Sequence, residues 1–143
     1  MEMEVAATEQ DVRLALGDFI RLHVLSRAEK ARFMTESMKR FFNRVTCDLA
    51  REGLVRLYFL KLNGMRAAAA LCFDGDGERL LYNSGYDPAF SSLSVGILSK
   101  AMVIEQTIAD GKGCFDFLRG AERYKYDLGG KDLAVHRLVI RRN

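Results

Sequence analysis

The chain has 143 residues, 49% apolar and 29% charged, which is the balance of one globular domain over residues 1–143 rather than a disordered segment or two cramped domains. Its longest unbroken apolar run, residues 67–73, is far below the roughly 20 residues of a membrane span, and the acidic start Met1-Glu2-Met3-Glu4 has no apolar signal core. Lys and Arg exceed Asp and Glu by 22 to 19 without clustering, which argues against a duplex-DNA binder, so membrane and DNA are dropped as partners.

Apolar residues at Val12, Ala15, Leu16, Phe19 and Ile20, with His23 in phase, predict a helix over residues 8–24 with Thr8 as its N-cap. A second stripe, Phe33, Met34, Met38, Phe41, Phe42, Val45 and Leu49, predicts one further helix ending near Gly53. The character changes at Leu54. Residues 54–62 and 65–73 are aliphatic and aromatic runs joined by Asn63-Gly64, a pair that tolerates the positive φ of a two-residue hairpin turn. Asp74-Gly75-Asp76-Gly77 makes a second turn, followed by a third strand over 78–86. A calcium loop would need glycine at its sixth position, where Arg79 stands, so this acidic stretch is only a turn.

Residues 87–92 read as a loop. A helix then starts at Ser94, placed to cap it, and runs to about Asp110 with Leu98, Ala101, Met102, Glu105 and Ile108 in phase. Gly111 and Gly113 bracket its exit, 114–118 is a short strand, 120–127 a turn of helix or loop, and 134–141 the last strand. Hairpin-linked strands pair antiparallel, and the strand–helix–strand passage from 78 to 118 is a parallel crossover. The fold class is therefore a mixed α/β (α+β) sheet with helices on its faces.

Cys47, Cys72 and Cys114 are odd in number and widely spaced, which excludes a disulfide framework and a CxxC metal pair. They read as small buried hydrophobes in a reducing cytoplasm, and the two histidines, His23 and His136, lack metal-ligand spacing, so no metal is expected. Two places carry chemistry. At the first, Ser94 and Gly96 open a helix whose unpaired N–H groups and positive dipole end suit a phosphate, the plain alternative being an ordinary capped helix. At the second, residues 115–125 set ionisable side chains just beyond the carboxyl end of a parallel strand, where open α/β sheets bind ligands. Strand alternation puts Asp116 opposite Phe115 and Phe117, half-buried and in need of a partner, which Arg119 or Lys125 could supply.

The order of elements resembles the GNAT acyltransferase fold. More narrowly, Tyr82-Asn83-Ser84-Gly85-Tyr86-Asp87-Pro88, Leu93-Ser94-Val95-Gly96, and Phe115-Asp116-Phe117-Leu118-Arg119-Gly120 with Tyr124-Lys125 resemble its FemAB-like, cellulose-biosynthesis-type acetyltransferase branch. The likeness spans about residues 12–141 and is strongest over 80–125. Members of that branch resemble two such lobes in tandem. This chain corresponds to the second lobe only, either as a minimal half or with a partner chain, such as a second copy in a homodimer, completing the acceptor cleft.

The resemblance implies a V-shaped gap between the strand ending near Tyr86 and the strand at 114–118, with acetyl-CoA (acyl-CoA) as co-substrate. Its pantetheine arm would pair with Tyr82, Ser84, Gly85 and Tyr86, and its pyrophosphate would rest on Leu93, Ser94, Val95 and Gly96. Residues 91–96 keep the last glycine of the family's Gln/Arg-x-x-Gly-x-Gly/Ala loop and place serines at its first and fourth positions. The expected activity is direct N-acyl transfer, of an acetyl group, to a small-molecule or amine acceptor, with Glu122 or Asp116 taking the amine proton and Tyr124, or Tyr82 behind it, protonating the thiolate. Amides near 84–86 would polarise the thioester carbonyl. These features lean towards an enzyme. Two alternatives stand beside it: a non-catalytic GNAT-shaped dimerisation or regulatory module, and an aminoacyl-tRNA-dependent transferase lobe. The second rests on the basic C-terminal quarter that includes Arg137, Arg141 and Arg142, and tRNA is the least favoured of the partners.

Overall fold

The structure is a computed structural model, and it describes residues 1–142. Strand β1 (Glu2–Ala6) is followed by helices α1 (Glu9–Ser26), α2 (Ala28–Phe33) and α3 (Glu36–Arg51), then by the strands β2 (Val55–Leu62), β3 (Met65–Gly75) and β4 (Glu78–Tyr86). A 3₁₀ turn (Pro88–Leu93) leads into α4 (Val95–Ala109), β5 (Cys114–Asp116) and the short α5 (Arg123–Asp127). The five strands lie in chain order, antiparallel from β1 to β4, with β5 parallel to β4. The expected mixed sheet and parallel crossover are both present.

Both hairpin turns form as their residues dictate. Asn63 and Gly64 have φ of 48° and 79°, and Asp76 and Gly77 have 34° and 78°, the paired positive φ of a tight hairpin. Thr8 caps α1 by accepting from the Asp11 amide at 3.1 Å.

Side-chain alternation along β2 and β3 divides the core between two faces. On one face Leu57, Phe59, Ala69 and Leu71 pack against Val12, Leu16, Phe19 and Leu22 of α1 and Phe42 of α3. On the other, Tyr58, Leu60, Ala68 and Ala70 pack with Val95 and Val103 of α4. Four successive alanines, Ala67 to Ala70, are wholly buried, which lets helices approach the middle of the sheet from both sides.

Four expectations are corrected and one strand is added. The second helix is two helices, because the chain breaks at Met34 (φ −82°, ψ 62°) and restarts under a Thr35 cap. The N-terminal residues form an edge strand whose Glu2 and Glu4 pair with Lys61 and Arg66. The buried face of α4 follows Val95, Ser99, Val103 and Thr107, whereas Glu105 and Ile108 are exposed. Ser99 and Thr107 can be buried because their hydroxyls bond back to the carbonyls of Gly96 and Val103, at 3.1 and 2.7 Å. Residues 134–141 form no strand, and Val135, Leu138 and Ile140 are exposed. Cys47 and Cys72 are buried as expected, but Cys114 is exposed.

A buried ion cluster ties the sheet to α4. Arg79 is wholly buried and donates to both oxygens of Asp74 at 2.7 and 2.8 Å and to Asp110 at 2.9 Å. Burial alone would raise the Asp74 carboxyl, but the Arg79 hydrogen bonds and the charges of Arg79, Lys112 and Arg56 together outweigh it and hold that group below the usual carboxylate range.

Candidate active site

The site follows from where β4 and β5 stop pairing. Only Glu78, Arg79 and Leu80 face Cys114, Phe115 and Asp116. Beyond them β4 runs on to Tyr86, while the segment after β5 turns away through Leu118 at φ 57°. A register shift between Leu71 and Cys72 leaves Tyr82 bulged on β4, where the gap begins. The result is an open wedge with a cavity of about 400 Å³.

Two glycines seat β4 and α4 at the wedge. A Cβ built on Gly85 would overlap the backbone of Leu22 and His23, so only glycine lets α1 lie this close to β4. A Cβ on Gly96 would meet the Tyr86 ring at 3.1 Å, so that glycine also serves the packing of β4 on α4.

The start of α4 is not capped as expected. Ser94 takes the left-handed conformation (φ 51°, ψ 34°) and its side chain makes no cap bond. The first amides bonded within this helix are those of Ile97 and Leu98, both to the Ser94 carbonyl at 3.0 Å. The Val95 and Gly96 amides ahead of them have no acceptor among the described residues, and both residues line the cavity, Val95 wholly buried and Gly96 partly exposed.

Of the residues expected to hold the co-substrate, Tyr82, Ser84, Tyr86, Ser94, Val95 and Gly96 line the cavity. Gly85 is turned against α1, and Leu93 is an exposed residue outside the lining. Ser84 is engaged from two sides. Its amide donates to Asn83 Oδ1 at 3.0 Å, and its carbonyl accepts from Lys30 Nζ at 2.5 Å and faces His23 Nδ1 at 3.1 Å. Because burial lowers the His23 pKa, the ring is neutral and Nδ1 carries the proton that bonds this carbonyl.

Among the expected catalytic residues, Glu122 and Tyr124 line the cavity and Asp116 does not. The Asp116 carboxylate accepts from the Leu118 amide at 2.6 Å, so its partner is the backbone of its own turn rather than Arg119 or Lys125. Lys125 pairs instead with Glu122 at 2.8 Å and donates to the Arg119 and Gly120 carbonyls at 2.8 and 3.1 Å. The Lys125 hydrogen bond holds the Glu122 carboxyl below its ordinary range. Gly120, at φ 109°, leaves room for that carboxylate, which a Cβ there would strike. Burial pushes the Tyr124 phenol up to about 12, so it is protonated at neutral pH.

Three further contributors have no local motif. Arg27 and Lys30 enter the cavity from the corner between α1 and α2, and Lys100 enters from the second turn of α4. Lys100 is buried, donates to the Gly96 carbonyl at 2.7 Å and lies 4.7 Å over the Tyr124 ring. Desolvation brings both lysines down to about 8, reinforced by Arg27 at each and by Lys30 at Lys100. The one signal in the sequence that could have found them is the spacing of Arg27 and Lys30, three residues apart just past the end of the α1 stripe.

Residues 1–126 match the family described as Acetyltransferase (GNAT) domain. The chain belongs to the GNAT acetyltransferase family. Solved structures share its fold at low identity. One is an aminoglycoside acetyltransferase from an uncultured soil metagenomic sample, in complex with sisomicin, with a TM-score of 0.64, 12% identity, and 99% of this chain and 96% of that chain covered. Another is the aminoglycoside 6'-N-acetyltransferase AAC(6')-Ig from Acinetobacter haemolyticus, with a TM-score of 0.64, 12% identity, and 100% and 99% covered. The ribosomal-protein-S18-alanine N-acetyltransferase from Escherichia coli follows with a TM-score of 0.59, 15% identity, and 90% and 74% covered. No curated protein matches this sequence. In this GNAT domain no helix among the described residues is long and apolar enough to cross a membrane.

Proposed function

We propose that the chain is an acyl-CoA-dependent N-acyltransferase, with acetyl-CoA as donor, that moves the acyl group directly from thioester to amine. The observation that carries this reading is the wedge beyond Leu80 and Asp116, open beside the unpartnered Val95 and Gly96 amides at the positive end of α4. These residues fit the group. The Gly96 amide with Ser91 and Ser94 would hold its diphosphate, and Tyr82 and Tyr86 would flank the arm leading inward.

The donor supplies an acyl group activated as a thioester. Glu122, ionised by its bond to Lys125, takes the amine proton through water as the nitrogen bonds the carbonyl carbon. Tyr124, which keeps its proton, gives it to the sulfur as the C–S bond breaks. The Lys100 ammonium over the Tyr124 ring stabilises the phenolate left behind, until it recovers a proton from solvent. Asp116 acts behind Glu122, shaping the turn that carries it. The motifs over residues 82–88, 93–96 and 115–125 support placement in the FemAB-like branch as a single domain. The exposed Val135, Leu138 and Ile140 support a homodimer, and the free thiols support a cytoplasmic setting.

Calorimetric titration with acetyl-CoA tests the reading. Binding is expected, and acetyl-CoA at a hundred times its dissociation constant should stabilise the fold by about 2.7 kcal/mol. No binding would leave the non-catalytic module as the better account. Glu122→Gln should lower kcat by about 10²-fold or more with acetyl-CoA affinity retained. Undiminished turnover removes the assigned base.

A further inference from the structure

The cavity walls carry five cationic side chains, Arg27, Lys30, Lys100, Arg119 and Lys125, against one carboxylate, Glu122, which is already paired with Lys125 at 2.8 Å. Among the described residues, none of the other four has a carboxylate partner. Lys100 is the sharpest case, since it is only 6% exposed and its ammonium meets a carbonyl and an aromatic ring, not a counter-charge. Buried charges are ordinarily paired, so this wall is built for an anion that the protein itself does not supply.

The cations reach the wedge from opposite faces of the sheet. Lys100 and the free Val95 and Gly96 amides belong to α4. Arg27 and Lys30 belong to the corner after α1, which packs on the other face with α3. A donor diphosphate resting on the α4 amides leaves the α1–α2 corner to the second substrate. Lys30 is held there by the Ser84 carbonyl, which fixes its ammonium at the edge of β4.

Resting on the acyl-CoA reading above, we propose that the acceptor is an amine that also carries a carboxylate, seated against Arg27 and Lys30. A polycationic amine is repelled from the same corner, because like charges converging in a cleft with low-dielectric walls are poorly screened.

The test uses the full chain, acetyl-CoA, and three sets of probes: dipeptides with a free C-terminal carboxylate, the same dipeptides as C-terminal amides, and sisomicin. Calorimetry with acetyl-CoA comes first and stands apart, since failure to bind the donor removes the transferase reading itself. With donor binding in hand, free thiol release should show kcat/KM about tenfold or more higher for the acids than for the amides, with sisomicin inert. Arg27→Gln and Lys30→Gln should each erode that preference through KM while the acetyl-CoA dissociation constant changes less than about threefold. Arg27→Glu, at an exposed position that folding tolerates, should invert the preference towards the amides and sisomicin. Equal turnover of acids and amides overturns the proposal, as does turnover of sisomicin by the unaltered chain, or binding and turnover of none of the acids. Loss of acetyl-CoA affinity in the Gln variants also overturns it, because the cations would then belong to the donor's phosphates.

Discussion

Gly85 sits on β4 where the backbone of Leu22 and His23 in α1 crosses it, and no room for a side chain is left between them. His23 adds a bond from its ring to the Ser84 carbonyl at 3.1 Å and stacks on Phe19, so the helix is pinned to the strand at the mouth of the wedge. The same contact aims Lys30 at Ser84, which makes one glycine responsible for both packing and site geometry. Gly85→Ala should therefore destabilise the fold by about 1–3 kcal/mol, the range for overpacking a filled contact. Urea denaturation checks this, and an unchanged midpoint would mean that α1 can lift off β4 at no cost. Gly96→Ala meets only the edge of the Tyr86 ring and should cost less, because a ring can turn where a helix backbone cannot.

At the scale of elements, Arg79 joins β4 to Asp74 at the end of β3 and to Asp110 at the end of α4. Removing its charge leaves Asp74 buried beside the more distant Arg56 and Lys112, at 3.9 and 3.5 Å. Arg79→Met should then cost about 3–5 kcal/mol, and Arg79→Met with Asp74→Leu should recover much of it. Equal loss in both variants, measured by urea denaturation, would show that packing rather than the unpaired carboxylate sets the cost. How far the elements were legible follows the same physics. Asn63-Gly64 and Thr8 announce themselves, because turn and cap chemistry is local. The β1 strand did not, because two glutamates in five residues look solvated until Lys61 and Arg66 stand opposite them. The phase of α4 was misread because Ser99 and Thr107 satisfy their hydroxyls on their own helix, which a scan for apolar residues passes over. Residues 134–141 alternate like a strand, but a strand also needs a partner, and none of the described strands pairs with them.

At the scale of the whole molecule, a net charge of only +3 over 143 residues conceals a cavity whose walls are strongly cationic. Arg27, Lys30, Lys100, Arg119 and Lys125 are far apart in sequence, and only the sheet and its two helical faces bring them together. The wedge motifs were therefore readable in advance, while the field inside the wedge was not. That field has a measurable cost. Burial, then the neighbouring Lys30 and Arg27, brings Lys100 down to about 8 in the fold, against 10.5 for the free side chain. Between those two values the unfolded chain binds a proton that the folded chain has released, so this group makes stability rise with pH across that window. Below about pH 8 Lys100 is charged in both states and its penalty is fully present. Lys100→Met keeps much of the packing under Tyr124 and removes the penalty. The variant should be more stable than the parent at pH 7, with the advantage shrinking as pH rises from about 8 towards 10. Comparing the two chains at each pH cancels the titration of Cys72, which burial raises to about 12, and of Cys114. Paired urea titrations from pH 7 to 10 check it, and a stability difference that does not change with pH would mean that Lys100 carries its charge in the cavity without strain.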